Sequence, residues 1–304
     1  MLKTPELLST EDRGRFLERS DWQAGWLVVS NWAAILGLLA IAGFFPGVLT
    51  ILLVWLLLPG RQLGLSVLMH EAGHGTLFAN RRLNLWVGQW LCALPTLNDL
   101  PTYATAHLNH HRLAGTPDDP DLPNYRAYPV DTGSFRRKVI RDLTGQTGSR
   151  LVAGAVKGGL SHFSSEAAPA VPLLMLKQVM VQLALAGVLM AVGVGWTWWL
   201  WFGTFMTSYM LVIRLRQIAE HAAVPDANDP DPRRNTRTVT APFWQRWLLA
   251  PHGVNYHLEH HLLPGVPCYH LPAFRARLIE NGWLNQVPVF NGYPEVFAHA
   301  VHSR

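Results

Sequence analysis

Residues 22–74 read WQAGWLVVSNWAAILGLLAIAGFFPGVLTILLVWLLLPGRQLGLSVLMHEAGH, and between Asp21 and Glu71 the only charged side chain is Arg61. As one helix, residues 22–70 would run about 73 Å at 1.5 Å per residue, against a hydrocarbon core of roughly 30 Å. The stretch must therefore fold back on itself. Gly43, Pro46 and Gly47 supply the break, which predicts spans over 24–43 and 47–69. A second apolar stretch follows the same plan: between Glu166 and Arg214 only Lys177 is charged, and Gly193-Val194-Gly195 predicts a turn between spans over 172–193 and 196–217. Trp196, Trp198, Trp199 and Trp201 beside that turn read as an interfacial aromatic belt. The expected fold is an all-α integral membrane protein, four transmembrane helices in two hairpins with a cytoplasmic helical cap.

The whole chain agrees. Of its 304 residues 49% are hydrophobic and 15% charged, with 13 Trp, which excludes disordered, collagen-like and ordinary soluble classes. The net charge of +5 does not call for nucleic acid as a partner, because the basic residues gather on one side of the spans. They precede the first span at Arg13, Arg15 and Arg19, fill residues 81–157, and resume from Arg214, while the two tight connections have none. The positive-inside rule then places both termini and the middle loop in the cytoplasm. Residues 1–23 read as an N-terminal segment, 24–280 as the membrane domain and 281–304 as a tail. Residues 83–97 are too short to span, so they are expected to lie at the interface or re-enter it, or else to form a buried cytoplasmic helix. Arg61 and Arg214 precede His70 and His221 by nine and seven residues. Snorkelling arginines on continuing helices would lift those histidines roughly 10 to 14 Å above the membrane surface.

The chemistry rests on 14 histidines, most of them clustered at helical spacing. His70 and His74 stand at i and i+4; His107, His110 and His111, and again His257, His260 and His261, stand at i, i+3 and i+4. Positions three and four apart share a helix face, so each cluster can aim imidazoles at one point. Eight such rings would crowd one four-coordinate zinc but suit two metals with four or five nitrogen ligands each. His221 at the end of span four is the natural ninth. Cys92 and Cys268 have no ligand spacing.

These boxes, flanking a pair of spans and including YHLEHHLLP at residues 256–264, resemble the membrane fatty acid desaturase superfamily over roughly residues 40–280. The resemblance implies a cytoplasmic cap and two irons held almost wholly by histidine, with O2 as co-substrate. Three residues separate His70 from His74, unlike the acyl-CoA Δ9 type. The third box begins with His257, unlike the Gln of front-end desaturases. The pattern is similar to bacterial-type desaturases acting on lipid or carrier-bound acyl chains. An unactivated methylene has no acidic proton, so its oxidation needs a redox metal and not zinc. No ferredoxin cysteine pattern, haem signature or GxGxxG is present, which predicts a separate electron donor, ferredoxin-like or cytochrome-type.

Two other readings compete. The superfamily resembled here also holds hydroxylases and ketolases acting on acyl chains or carotenoids. His70-Glu71-Ala72-Gly73-His74 alone matches HExxH, a zinc metalloprotease motif with Glu71 as general base, but that leaves the other two clusters idle. Acids that would accept the outer N–H of ligand imidazoles are Asp118, Asp119, Asp121, Glu220 and Glu259. Asn255 and His252 would hold a water on one metal or cap the box structurally.

Overall fold

A computed structural model describes residues 8–163 and 170–302. Ser20 caps the first long helix, α1 (Asp21–Phe44), by accepting from the Gln23 amide. The chain breaks at Phe45 and Pro46, and α2 (Val48–His74) then runs for 27 residues, about 40 Å. One helix therefore carries both a span and the first histidine box. It stops after His74 because Gly75 takes the left-handed conformation (φ 70°) that closes a helix C-terminus, with Thr76 N–H bonded to Glu71 C=O.

Three described helices, Asp21–Phe44, Val48–His74 and Pro172–Ala191, are long and apolar enough to cross a membrane. The last belongs to α4 (Ala170–Ala191), and α3 (Leu100–Leu113) lies between. The expected single span over 196–217 is two helices, α5 (Thr197–Met206) and α6 (Ser208–His221), broken at Thr207 (φ −120°, ψ −92°). The break sits opposite Pro59 in α2. Proline has no N–H, so the Trp55 carbonyl lacks its intrahelical donor. The Ser208 hydroxyl donates to that carbonyl at 3.0 Å, and Trp55 Nε1 donates to Thr207 Oγ1 at 3.1 Å. Each helix thus satisfies the other's defect, as an apolar environment requires.

Residues 58–72 of α2 are buried at almost every position, making it the central strut. Gly60 and Gly64 allow this crowding: a Cβ at Gly60 would lie 2.4 Å from Trp247 O, and one at Gly64 2.2 Å from Asn31 Oδ1. The arginines do not snorkel. Arg61 is buried, donates from Nη2 to Trp247 O (2.7 Å), and lies 4.1 Å from the centre of the Trp247 ring, because the helix Phe243–Leu249 packs on the α2 face that bears it. Arg214 pairs with the buried Asp142. Nor is the aromatic belt uniform. Trp199 is exposed, but Trp201 is core, its ring stacked on Trp32 at 6.3 Å.

Residues 83–97 fold as a helix (Arg81–Val87), a π-helical turn (Gly88–Ala93) and a 3₁₀ turn (Leu94–Thr96) laid against α2. Gly88 permits the contact, since a Cβ there would meet Ala72 Cβ at 2.4 Å. Leu85 and Trp86 stay exposed while residues 92–96 are buried. The segment thus has one face packed and one face apolar and open. Gln178 and Gln182 of α4 donate to Leu97 and Pro95 carbonyls at its end.

Candidate metal centre

Four helix ends converge. The first box forms the last turn of α2, and the second the last two turns of α3, which Asp99 caps by accepting from the Thr102 amide. His221 ends α6, and the third box is the short helix α7 (His257–Leu262). Helical spacing turns the rings of each box to one side.

The nine histidines expected from the sequence meet in two adjoining groups. One nitrogen from each of His70, His74, His107, His111 and His260 lies within 4.8 Å of all the others, and the same holds for His110, His221 and His261. His257 joins the second group, with Nε2 2.9 Å from that of His221 and 3.1 Å from that of His261. In the first group His260 Nε2 stands 2.9 Å from both His70 Nε2 and His111 Nε2. The groups touch where the His111 and His261 rings approach to 4.3 Å.

This donor set fits metal ions. Two nitrogens on opposite sides of one ion at about 2.1 Å sit about 4.2 Å apart, close to the spread observed. His221 Nδ1 faces the Asn235 carbonyl at 3.1 Å. A carbonyl only accepts, so the proton is on Nδ1 and Nε2 offers a lone pair toward His257. His110 Nδ1 stands 2.8 Å from Asp119 Oδ1, and His70 Nδ1 3.2 Å from Glu71 Oε1, with the same consequence. His74 Nε2 is buried with no hydrogen-bond partner among the described residues. Lone pairs packed together in a buried space require a cation. Burial, aided by neighbouring imidazoles, also pushes His107, His257, His260 and His261 well below the usual imidazole pKa, which keeps them in the neutral ligand form.

The acids sort themselves. Asp119 is buried, facing His110 and accepting from the Tyr125 hydroxyl. Burial raises its carboxyl pKa, but those hydrogen bonds outweigh burial and hold it below the usual range. Asp121 is half-exposed, its Oδ2 3.8 Å from His110 Nδ1. Asp118 is exposed, and its amide donates to Thr116. Glu220 approaches His257 Nε2 at 3.7 Å while Oε1 accepts from Arg216. Glu259 is taken by Thr238 and Arg275, so it braces α7 instead of orienting a ring. Asn255 donates to Val239 C=O, leaving a buried Oδ1 without a partner among the described residues. His252 lies 3.3 Å from Asn31 Oδ1. Glu71 accepts from Thr76 and the Cys268 amide as well as facing His70, so the general base of the protease reading is occupied in holding the box.

Sequence spacing gave no sign of Tyr125, Asn235, Arg216 or Tyr103. Tyr125 stacks on His221 and Tyr103 on His107. All act from outside the histidine periodicity.

A cavity of about 240 Å³ opens on the second group, lined by His110, His221, His257, Tyr103, Arg216 and Glu220 among others. An apolar groove of about 690 Å³, lined by residues such as Val28, Trp32, Trp90 and Leu185, opens between α1, residues 86–95 and α4.

A sequence model of fatty acid desaturases matches residues 46–292. Dihydrorhizobitoxine desaturase of Bradyrhizobium elkanii is 25% identical over 257 residues, 78% of this chain and 70% of its own length. A β-carotene ketolase of a Paracoccus species is 27% identical over 266 residues, 84% of this chain and 89% of its own. The sn-1 oleoyl-lipid 12-desaturase of a Picosynechococcus species is 24% identical over 304 residues, 92% and 83% respectively. With a family match across most of its length and the histidine boxes gathered as described, this chain belongs to the fatty acid desaturase family.

Proposed function

We propose that the protein is a membrane-bound di-iron oxidase that introduces a double bond into a fatty acyl chain, using O2 and electrons from a separate donor protein. The observation that carries this reading is the gathering of nine imidazoles, with no thiol among them, into two adjoining groups. Nitrogen donors in this number suit a redox-active first-row metal. Bound iron would supply oxidation of an unactivated C–H bond, which no side chain in the site can perform.

The chain's own residues then have defined tasks. His70, His74, His107, His111 and His260 would hold one ion, and His110, His221, His257 and His261 the other. Glu71, Asp119 and the Asn235 carbonyl fix the tautomers of His70, His110 and His221, so their Nε2 lone pairs are ready for metal. α7 meets α2 through His260 and His70 and α6 through His257 and His221, and all four of these rings are buried. Four crossings, with α5 and α6 together as the fourth, would put both termini and the ligand ends of α2 and α6 on the cytoplasmic side of a bacterial inner membrane. There a ferredoxin-like or cytochrome-type donor reaches the site, and lipid or carrier-bound acyl chains are the substrate.

One observation favours a second reading, ketolation or hydroxylation of an acyl chain or carotenoid. The cavity on the second histidine group carries Arg216 and Glu220, groups that suit an oxygen-bearing ring or head better than mid-chain methylenes. Mass spectrometry of lipids and carotenoids from a host expressing the protein, with double bonds located, tests both. Loss of two hydrogens from an acyl chain is expected. Oxygen gained by a chain or carotenoid instead would transfer the assignment to the second reading.

A further inference from the structure

Behind the second histidine group lies a cavity that the oxidation chemistry does not use. It encloses about 310 Å³ and is walled by Val224, Val287, Pro288 and Phe290, with Arg237, Arg233, Thr236 and His299 as polar lining. Arg237 is 4% exposed. No carboxylate lies within ion-pair distance of it among the described residues, whereas its neighbour Arg233 is matched by Asp231. One Arg237 nitrogen, Nη2, donates to the Ala222 carbonyl, and the guanidinium rests 4.8 Å from the centre of the Phe290 ring. A second nitrogen, Nη1, is buried and has no partner among the described residues. Burial alone pushes this arginine down to about 10. A buried charge left uncompensated costs several kcal/mol, so its retention in a cavity points to an anion that completes it.

The walls narrow the anion. Arg233 is taken by Asp231, Thr236 Oγ1 donates to the Glu220 carbonyl and His299 Nε2 faces the Ala223 carbonyl, while the rest of the wall around Arg237 is apolar, so a fully hydrated ion such as phosphate would find little to replace its water. The mouth opens at the exposed Pro288 and His299. The geometry points to a binding site for a small carboxylate on a short apolar stem, its oxygens on Arg237 Nη1 and its stem against Val287 and Phe290. The site is coupled to the metal centre by position. Arg237 holds the carbonyl of the residue after His221, Thr236 Oγ1 donates to Glu220 C=O, and the Asn235 carbonyl holds His221 itself. The inference stands whichever oxidation the metal centre performs.

Hexanoate is a suitable probe, titrated calorimetrically into the iron-loaded full-length protein in detergent against a micelle blank. One site per chain is expected, with acetate, hexanol and inorganic phosphate each about tenfold weaker or more, since charge and stem are both required. Arg237→Gln should weaken hexanoate by at least about tenfold. Should that variant fail to fold, Val287→Trp fills the cavity from its partly exposed wall, leaves the arginine in place and is expected to block binding. Hexanoate that binds Val287→Trp as tightly as the parent protein, or that hexanol or phosphate equals, overturns the site.

Discussion

The Ser208 hydroxyl donates to the Trp55 carbonyl across the interface between α6 and α2, at the level where Pro59 has removed the intrahelical donor. A missing donor in one helix and a break in the other are therefore one feature, and their energies must be coupled. Ser208→Ala alone would leave a buried carbonyl unpaired, costing about 1 to 3 kcal/mol. Pro59→Ala restores the missing N–H, so Ser208→Ala in that background should cost much less. Thermal unfolding of the four proteins in detergent measures the coupling. Purely additive effects would show that the two defects are independent.

Much of this architecture was legible, and the illegible part has a common cause. Spans 24–43 and 47–69 and the turn at Gly193 come from local composition and breakers, and the structure places helices and turns there. Eight of the nine histidines were readable because helical spacing is a local property, and His221 because it ends an apolar stretch. The break at Thr207 has no Pro or Gly of its own and depends on Pro59, about 150 residues away. Arg61 looks like a snorkelling arginine until the helix Phe243–Leu249 covers it. Among the acids near the second box, sequence could not separate Asp118, Asp119 and Asp121, because the bend after α3 decides which one reaches His110.

That separation is itself testable. Asp119→Ala removes the acceptor that orients His110, and such outer contacts are commonly worth about 10- to 100-fold in metal affinity. Iron content should fall from about two toward one per chain under limiting metal, while Asp118→Ala keeps both. Equal loss in the two variants would sink the assignment of Asp119.

Glu71 divides the oxidase from the protease. Its carboxylate is engaged with His70, Thr76 and the Cys268 amide. Glu71→Gln should therefore reduce metal loading and oxidation partially, whereas His260→Ala, which removes a nitrogen 2.9 Å from two others, should abolish oxidation with the protein still in the membrane. Full activity in His260→Ala contradicts the site.

Acid should unfold the metal-stripped protein early. His107, His257, His260 and His261 are held well below the usual imidazole value of about 6.5, chiefly by burial, so below that pH the unfolded chain binds protons that the folded chain refuses. Their stabilising contribution is complete above about pH 6.5 and is lost as pH falls, at up to about 1.4 kcal/mol per pH unit for each ring. The denaturation midpoint should be level from pH 8 to 7 and decline steeply below 6.5. A midpoint level down to pH 5 would show that the rings are protonated in the fold.

Topology is the last requirement of a shared metal centre, because α2 and α6 must deliver His74 and His221 to the same side. The turn between α1 and α2 and the turn between α4 and α5 then lie together on the opposite face. Gly47→Cys suits the first, since a side chain there meets only Thr50 Oγ1 at 4.0 Å. At the second, Gly195 is unsuitable because a Cβ would press on Met190 at 2.6 Å, so the exposed Val192→Cys takes its place. Native Cys92 and Cys268 are buried and should stay silent. In intact cells an impermeant thiol reagent should label Gly47→Cys and Val192→Cys but neither Thr10→Cys nor Asn285→Cys, both at exposed positions of the segments proposed to be cytoplasmic. Labelling of Thr10→Cys together with Gly47→Cys would show that α1 does not cross, and labelling of only one of Gly47→Cys and Val192→Cys would put the ligand-bearing ends of α2 and α6 across the bilayer from each other, where His74 and His221 could not approach as they do here.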